Sequence, residues 1–183
     1  MIKDLLNDAE SRMRGAIQVL HDDLAAIRTG RANPSLVEKL PIEYYGTPTP
    51  LMQLASISVP EPRTLTIKPF DGTTLKAIER AIQTSDLGLN PNNDGKVIHL
   101  NLPPLTEERR REYVKLVRGK GEDAKVHVRG IRRKSKDDLD DLKSDVGEDD
   151  LARAEKELDA LTRAHVDAID EALKRKEAEL LEV

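Results

Sequence analysis

Residues 103–146 read PPLTEERRREYVKLVRGKGEDAKVHVRGIRRKSKDDLDDLKSDV, and how this stretch folds decides the architecture. After Pro103-Pro104 the chain contains no further proline, so nothing covalent interrupts a helix. Val117, Gly121, Ala124, Val128, Ile131, Ser135, Leu139, Leu142 and Val146 step by three or four residues, a narrow apolar stripe on an otherwise charged cylinder. Thr106 is the expected N-cap, with Glu107 and Glu108 in the first turn where the helix dipole favours acids. A helix over residues 105–144 would be about 60 Å long at 1.5 Å per residue. Gly147 then punctuates the turn into another helix.

Working outward, both flanks carry the same periodicity. Leu6, Ala9, Met13, Ala16, Leu20, Leu24 and Ile27 form one stripe; Leu151, Ala154, Leu158, Leu161, His165, Ala168 and Ala172 form another. Long helices around one seam predict a three-helix bundle built from 1–30 and 105–183. All ten prolines and three of the four aromatic residues lie between these flanks. The segment 31–104 therefore reads as an inserted small β/α/β domain and the whole chain as α+β. Its candidate strands are Leu40–Tyr45, Ala55–Val59, Arg63–Pro69 and Lys96–Leu102, with alternation at Leu65, Ile67 and Val97; its candidate helix is Thr73–Ser85, through Leu75, Ile78 and Ile82. Two connections join insert to bundle, one through Gly30-Arg31 and one through Pro103-Pro104. Side by side, they predict a two-stranded hinge.

Composition narrows the function. Of 183 residues 38% are hydrophobic and 35% charged, and only 2% are aromatic, too few to stack successive unpaired bases. With no cysteine there is no disulfide framework, Cys-ligated zinc, iron–sulfur cluster or thiol catalysis. The absence of a long apolar run leads us to expect a soluble cytoplasmic protein that does not engage membranes. The net charge of −4 hides an asymmetry: residues 105–136 hold 12 basic and 5 acidic groups, whereas residues 137–183 hold 7 basic and 17 acidic.

Within the basic block Lys125, Arg129, Arg132 and Lys136 step by four, three and four along one line. Arg133 flanks it, and Arg111, Lys115 and Arg118 extend it upstream. The line lies one residue, about 100°, from the apolar stripe and is expected to face solvent. Two readings stand: pairing with acids of a neighbouring helix, or contact with the phosphate backbone of folded RNA, which arginine suits by its bidentate geometry. Scaffold and RNA-chaperone roles both fit such a surface.

Catalytic constellations are missing from the sequence. It has no GxxxxGK[ST], HExxH, GxSxG or GxGxxG, and His21, His99, His127 and His165 are scattered. Asn90-x-Asn92-x-Asp94-Gly95 imitates the start of a calcium loop, but its first position is Asn and Asn101 stands where the closing Glu belongs, so Asn93-Asp94-Gly95 is better read as a turn before a strand. No enzyme activity, metal or cofactor is expected.

Several segments resemble the bacterial ribosome recycling factors. They are Ile27-Arg28-Thr29-Gly30-Arg31-Ala32 with Pro34, Tyr44-Tyr45-Gly46-Thr47-Pro48-Thr49-Pro50-Leu51, Gln53-Leu54-Ala55-Ser56, Ser85-Asp86-Leu87-Gly88-Leu89-Asn90-Pro91, Pro103-Pro104-Leu105-Thr106-Glu107-Glu108-Arg109-Arg110, Val128-Arg129 with Ile131-Arg132-Arg133, and Lys176-Glu177-Ala178-Glu179-Leu180. The resemblance implies an L-shaped, tRNA-sized molecule; a monomer is expected, with weak self-association through an exposed helical seam left open. It implies binding to the post-termination ribosome on the large subunit, and separation of the subunits with elongation factor G, which hydrolyses the GTP. Matched residue by residue, Arg110, Arg129 and Arg132 would contact ribosomal RNA, supported by Arg28, Arg31, Arg109 and Arg133; the basic line adds Lys125 and Arg118. Gly30, Arg31, Pro103 and Pro104 would form the hinge. Gly130 departs from the family, which commonly has Asn there; with Gly119 and Gly121 it puts three glycines in one helix.

Overall fold

The computed structural model describes residues 1–182 and is α+β. Three long helices carry the apolar stripes: α1 over Ile2–Ala25, α4 over Glu107–Asp140 and α5 over Glu148–Leu181. Between α1 and α4 come β1 (Pro41–Tyr44), β2 (Thr47–Pro50), the single turn α2 (Leu51–Leu54), β3 (Ala55–Glu61), β4 (Thr64–Pro69), α3 (Leu75–Thr84), β5 (Pro91–Asn93) and β6 (Ile98–Asn101). The chain divides into two compact units. The first is Met1–Leu24 with Val114–Ala178; the second is Ala25–Tyr113 with the last residues from Glu179. Among the described residues no helix is long and apolar enough to cross a membrane, and no group of three or more His, Asp or Glu could hold a metal ion.

In the first unit α1 buries Ala9, Met13, Ala16, Leu20 and Leu24. From α4 come Val117, Gly121, Ala124, Val128, Ile131, Ser135 and Leu139, as the spacing predicts. Thr106 caps this helix as expected, its Oγ1 accepting from the Arg109 backbone N–H at 3.1 Å. The helix stops at Asp140, short of the expected 144, and the chain continues in short-range turns such as Leu142 N to Leu139 O. Asp137, Asp138, Asp140 and Asp141 crowd its C-terminal end, where the dipole disfavours negative charge.

The stripe of α5 needs a correction. Ala168 is exposed, Ile169 and Leu180 are fully buried, and Thr162 is largely buried. A 3.6-residue period permits either neighbour after His165, and burying Ile removes far more apolar surface from water. Ile27, expected at the end of the first helical stripe, is buried outside the helix, in the second unit.

The second unit holds a four-stranded antiparallel sheet ordered β3-β4-β6-β5 and a separate β1-β2 hairpin. Leu65 and Ile67 of β4 and Ile98 and Leu100 of β6 point into one core with Ile78 and Ile82 of α3, Ile42 of β1 and Leu51. Strand β6 begins two residues later than expected, so Ile98 rather than Val97 faces the core. Asp94 Oδ1 ties the backbone N–H groups of Lys96 and Val97 into a turn at 2.9 and 2.8 Å, and a one-residue slip reverses the faces of a strand. The same bonds make a turn from Asp94 onward, whereas Asn92 and Asn93 of the Asn-rich segment belong to β5. Strands β2 and β5 are absent from the sequence-based expectation, and they contain Pro48, Pro50 and Pro91. Each strand pairs on one side only, which is where sheets tolerate proline. Tyr45 and Gly46 join β1 to β2 with φ of 48° and 78°, the left-handed pair that a tight two-residue hairpin requires.

Candidate RNA interface

The candidate cations fall in two sets, one in each compact unit. In the first unit they lie on α4. Arg118, Lys125 and Arg132 are spaced by seven residues, nearly two full turns, and so share a line. Each is held by an acid of α5. Arg118 Nε donates to Glu177 Oε1 at 2.8 Å, Lys125 Nζ meets Asp170 Oδ1 at 2.6 Å, and Arg132 reaches Asp159 Oδ1 with Nε at 2.8 Å and Nη2 at 2.7 Å. Lys125 also lies 3.8 Å from Glu122, and its side chain is only 17% exposed. The expectation that the whole line faces solvent is therefore corrected at Lys125. A long side chain 100° from the stripe still lays its methylene stem against the neighbouring helix.

Arg129 and Arg133 differ. Both are exposed, and among the described residues neither has an ion-pair or hydrogen-bond partner. Of the two readings left open by charge alone, pairing with a neighbouring helix describes Arg118, Lys125 and Arg132, while Arg129 and Arg133 present free guanidinium groups. The acids Asp159, Asp170 and Glu177 were not singled out from sequence. Their spacing of 11 and 7 places them within about 20° of one line on α5, the signal that could have found them.

In the second unit Arg28 sits partly buried, with Nε and Nη2 shielded from solvent and without hydrogen-bond partners; Arg110 Nε is in the same condition. Burial pulls the Arg28 guanidinium below its ordinary value; Tyr113 opposes this and the Arg109 charge adds to it. Arg109 is exposed and Nη1 donates to Glu112 at 3.3 Å. Arg31 is exposed, with Nε 3.9 Å from Glu182 Oε2. A cavity of about 450 Å³ in this unit is lined by Gly30, Arg31, Arg63, Pro104 and Arg110, with Glu179 and Glu182 opposing the cations. Pro103 is exposed, and with Gly30, Arg31 and Pro104 it falls inside the second unit.

Long antiparallel helices, an interrupting β-rich segment and a basic central helix define a class of bundle proteins, with no catalytic constellation among the described residues. Comparison with known proteins narrows this. Residues 20–181 match the family model for the ribosome recycling factor. The ribosome-recycling factor of Paenarthrobacter aurescens is 62% identical over 185 residues, covering all of both chains, and that of Mycobacteroides abscessus is 57% identical with the same coverage. A solution structure of the ribosome recycling factor superposes with a TM-score of 0.80 at 41% identity, covering 100% of this chain and 98% of the other. A second, described as models for the T. thermophilus ribosome recycling factor and the E. coli elongation factor G bound to the E. coli post-termination complex, gives 0.70 at 43% identity with both chains fully covered. The chain belongs to the ribosome recycling factor family, whose members are translation factors and not enzymes.

Proposed function

We propose that this factor binds the post-termination ribosome on the large subunit and, together with elongation factor G and GTP, separates the subunits and frees them from mRNA. Its place of action is then the cytoplasm. The likeness to the T. thermophilus factor, described with elongation factor G on the post-termination complex, supports this most directly. The contact with ribosomal RNA runs through Arg129 and Arg133, whose guanidinium groups are free to meet phosphate, with Arg132, Lys125 and Arg118 beside them on α4. Arg28, Arg31, Arg109 and Arg110 supply a second set. The working division of the chain is a bundle of 1–30 and 105–183 carrying the insert 31–104. Gly30-Arg31 and Pro103-Pro104 provide the hinge about which the insert turns. The protein itself contributes binding energy and leverage, and nucleotide hydrolysis belongs to the partner.

Light scattering of post-termination ribosomes tests this. Scattering should fall only when this factor, elongation factor G and GTP are all present. The double variant Arg129→Glu/Arg133→Glu should slow the fall. Its log–log salt slope for large-subunit binding should be shallower by about 1.5, two phosphate contacts at 0.7–0.9 each. Unchanged subunit binding in that variant would remove α4 from the interface.

A further inference from the structure

Two neighbouring lines of cations on α4 are in opposite electrostatic states: Arg129 and Arg133 are unpartnered, while Arg118, Lys125 and Arg132 are each occupied by a carboxylate of α5 at 2.6–2.8 Å. We infer that Asp159, Asp170 and Glu177 are selectivity residues, which restrain the α4 face from general RNA binding and favour the rigid RNA surface of an assembled subunit. This inference rests on the RNA-face proposal above.

The argument is one of competition. A phosphate approaching Arg132 meets a guanidinium that already spends two donors on Asp159, and at Lys125 it meets an ammonium set between Asp170 and Glu122. Taking one such cation leaves the phosphate beside a displaced carboxylate, and like charges in proximity oppose the exchange. The rungs lie about 10 Å apart along the helix, so their acids act on any polyanion that reaches one of them. A backbone held in place by an assembled particle can meet all three rungs together, because its phosphates are fixed before binding and lose no further freedom. A loosely structured RNA engages rungs one at a time and meets the acid at every step. The unpartnered pair Arg129 and Arg133 attracts any phosphate; the acid-held ladder decides which encounters proceed.

The test compares two probes, a purified hairpin RNA unrelated to ribosomal RNA and intact large subunits. The ladder variant Asp159→Asn/Asp170→Asn/Glu177→Gln is set against Glu157→Gln/Asp167→Asn/Glu171→Gln. The latter alters net charge equally at exposed acids of α5 that pair with nothing on α4. The ladder variant should bind the hairpin about tenfold more tightly, three weak surface pairs having been released, and gain much less for the subunit. The control variant should change hairpin affinity by about twofold at most. Equal gains for hairpin and subunit, an equal gain in the control, or no gain for the hairpin would each overturn the inference. Circular dichroism checks the fold; should the triple variant lose it, Asp159→Asn alone frees Arg132 and gives the same comparison with a smaller expected gain. Arg129→Glu/Arg133→Glu separates the two claims. If it leaves subunit binding intact, the RNA-face proposal fails; if it weakens binding while the ladder variant leaves the hairpin unaffected, only the selectivity role fails.

Discussion

Three glycines on one helix look like a single weakness, yet replacing each by alanine should give opposite results. At Gly121 a Cβ would lie 2.9 Å from Leu173 Cγ and 2.7 Å from Cδ2, with Cδ1 closer still. The glycine lets α5 approach α4 at that level. At Gly119 and Gly130 a Cβ meets nothing within 4 Å. Alanine in a helix interior is favoured over glycine by up to ~1 kcal/mol. Gly119→Ala and Gly130→Ala should therefore each stabilise by roughly 0.5–1 kcal/mol. They are about 16 Å apart along the axis, so their effects should add. Together they should raise the melting temperature by about 3–6 °C for a chain of this size. Gly121→Ala receives the same propensity gain but forces Leu173 out of place, and overpacking costs ~1–3 kcal/mol. A net loss of about 1 kcal/mol is expected. Urea unfolding followed at 222 nm measures all three, and a Leu173→Ala background supplies the decisive cycle. With the leucine truncated, Gly121→Ala should become stabilising like its neighbours. If it costs as much there as in the parent, or if Gly119→Ala and Gly130→Ala are as damaging as Gly121→Ala, the close-approach explanation is wrong.

Two further outcomes follow from the second unit. Tyr45 holds φ of 48° at the hairpin turn while its side chain is 84% exposed; Tyr45→Asn, which tolerates that backbone, should raise the urea midpoint by a gain of about 0.5 kcal/mol. The rings of Tyr44 and Tyr45 meet edge-on with centroids 4.5 Å apart, and unchanged or lowered stability would show that this contact outweighs the backbone gain. Asp94 is held below the ordinary carboxylate value by the backbone N–H of Val97, then of Lys96, with smaller help from His99. Its contribution is complete above the unfolded value near 4 and is lost as pH falls through the lower folded value. Between pH 5 and pH 3 the parent should therefore lose more stability than Asp94→Asn; parallel losses would show that the charge on Asp94 contributes nothing.

The helices were legible because their determinants are local and periodic. Seven α4 positions from Val117 to Leu139 are buried as the spacing required, and Thr106 caps the helix. The readings that failed turned on choices between near-equivalent local solutions. Ala168 and Ile169 both fit the period, and burial of the larger side chain won. Val97 and Ile98 both fit a strand, and the Asp94 turn set the phase. Strands β2 and β5 are three or four residues long and carry proline, and their place at sheet edges, where no second partner is needed, is a property of the sheet that the segments do not show on their own. Gly121 stands in the apolar stripe of the sequence, but what requires glycine there is a leucine 52 positions later on another helix.

The candidate RNA face is harder to read for a related reason. Spacing places Arg118, Lys125, Arg129, Arg132 and Arg133 on one side of a helix, but which of them are unpaired in the folded protein depends on what stands opposite. Opposition between antiparallel helices pairs residues by a descending register: 118 with 177, 125 with 170, 132 with 159. No motif within α4 contains that register, since half of it is written in α5. A basic run therefore announces an affinity for phosphate without saying which of its members are available. Here Arg129 and Arg133 are, and the other three become available only by giving up a carboxylate. If α4 carries the RNA face proposed above, two cations that attract and three that must be released form a face with a threshold, which would distinguish a rigid ribosomal surface from the excess of other RNA around it.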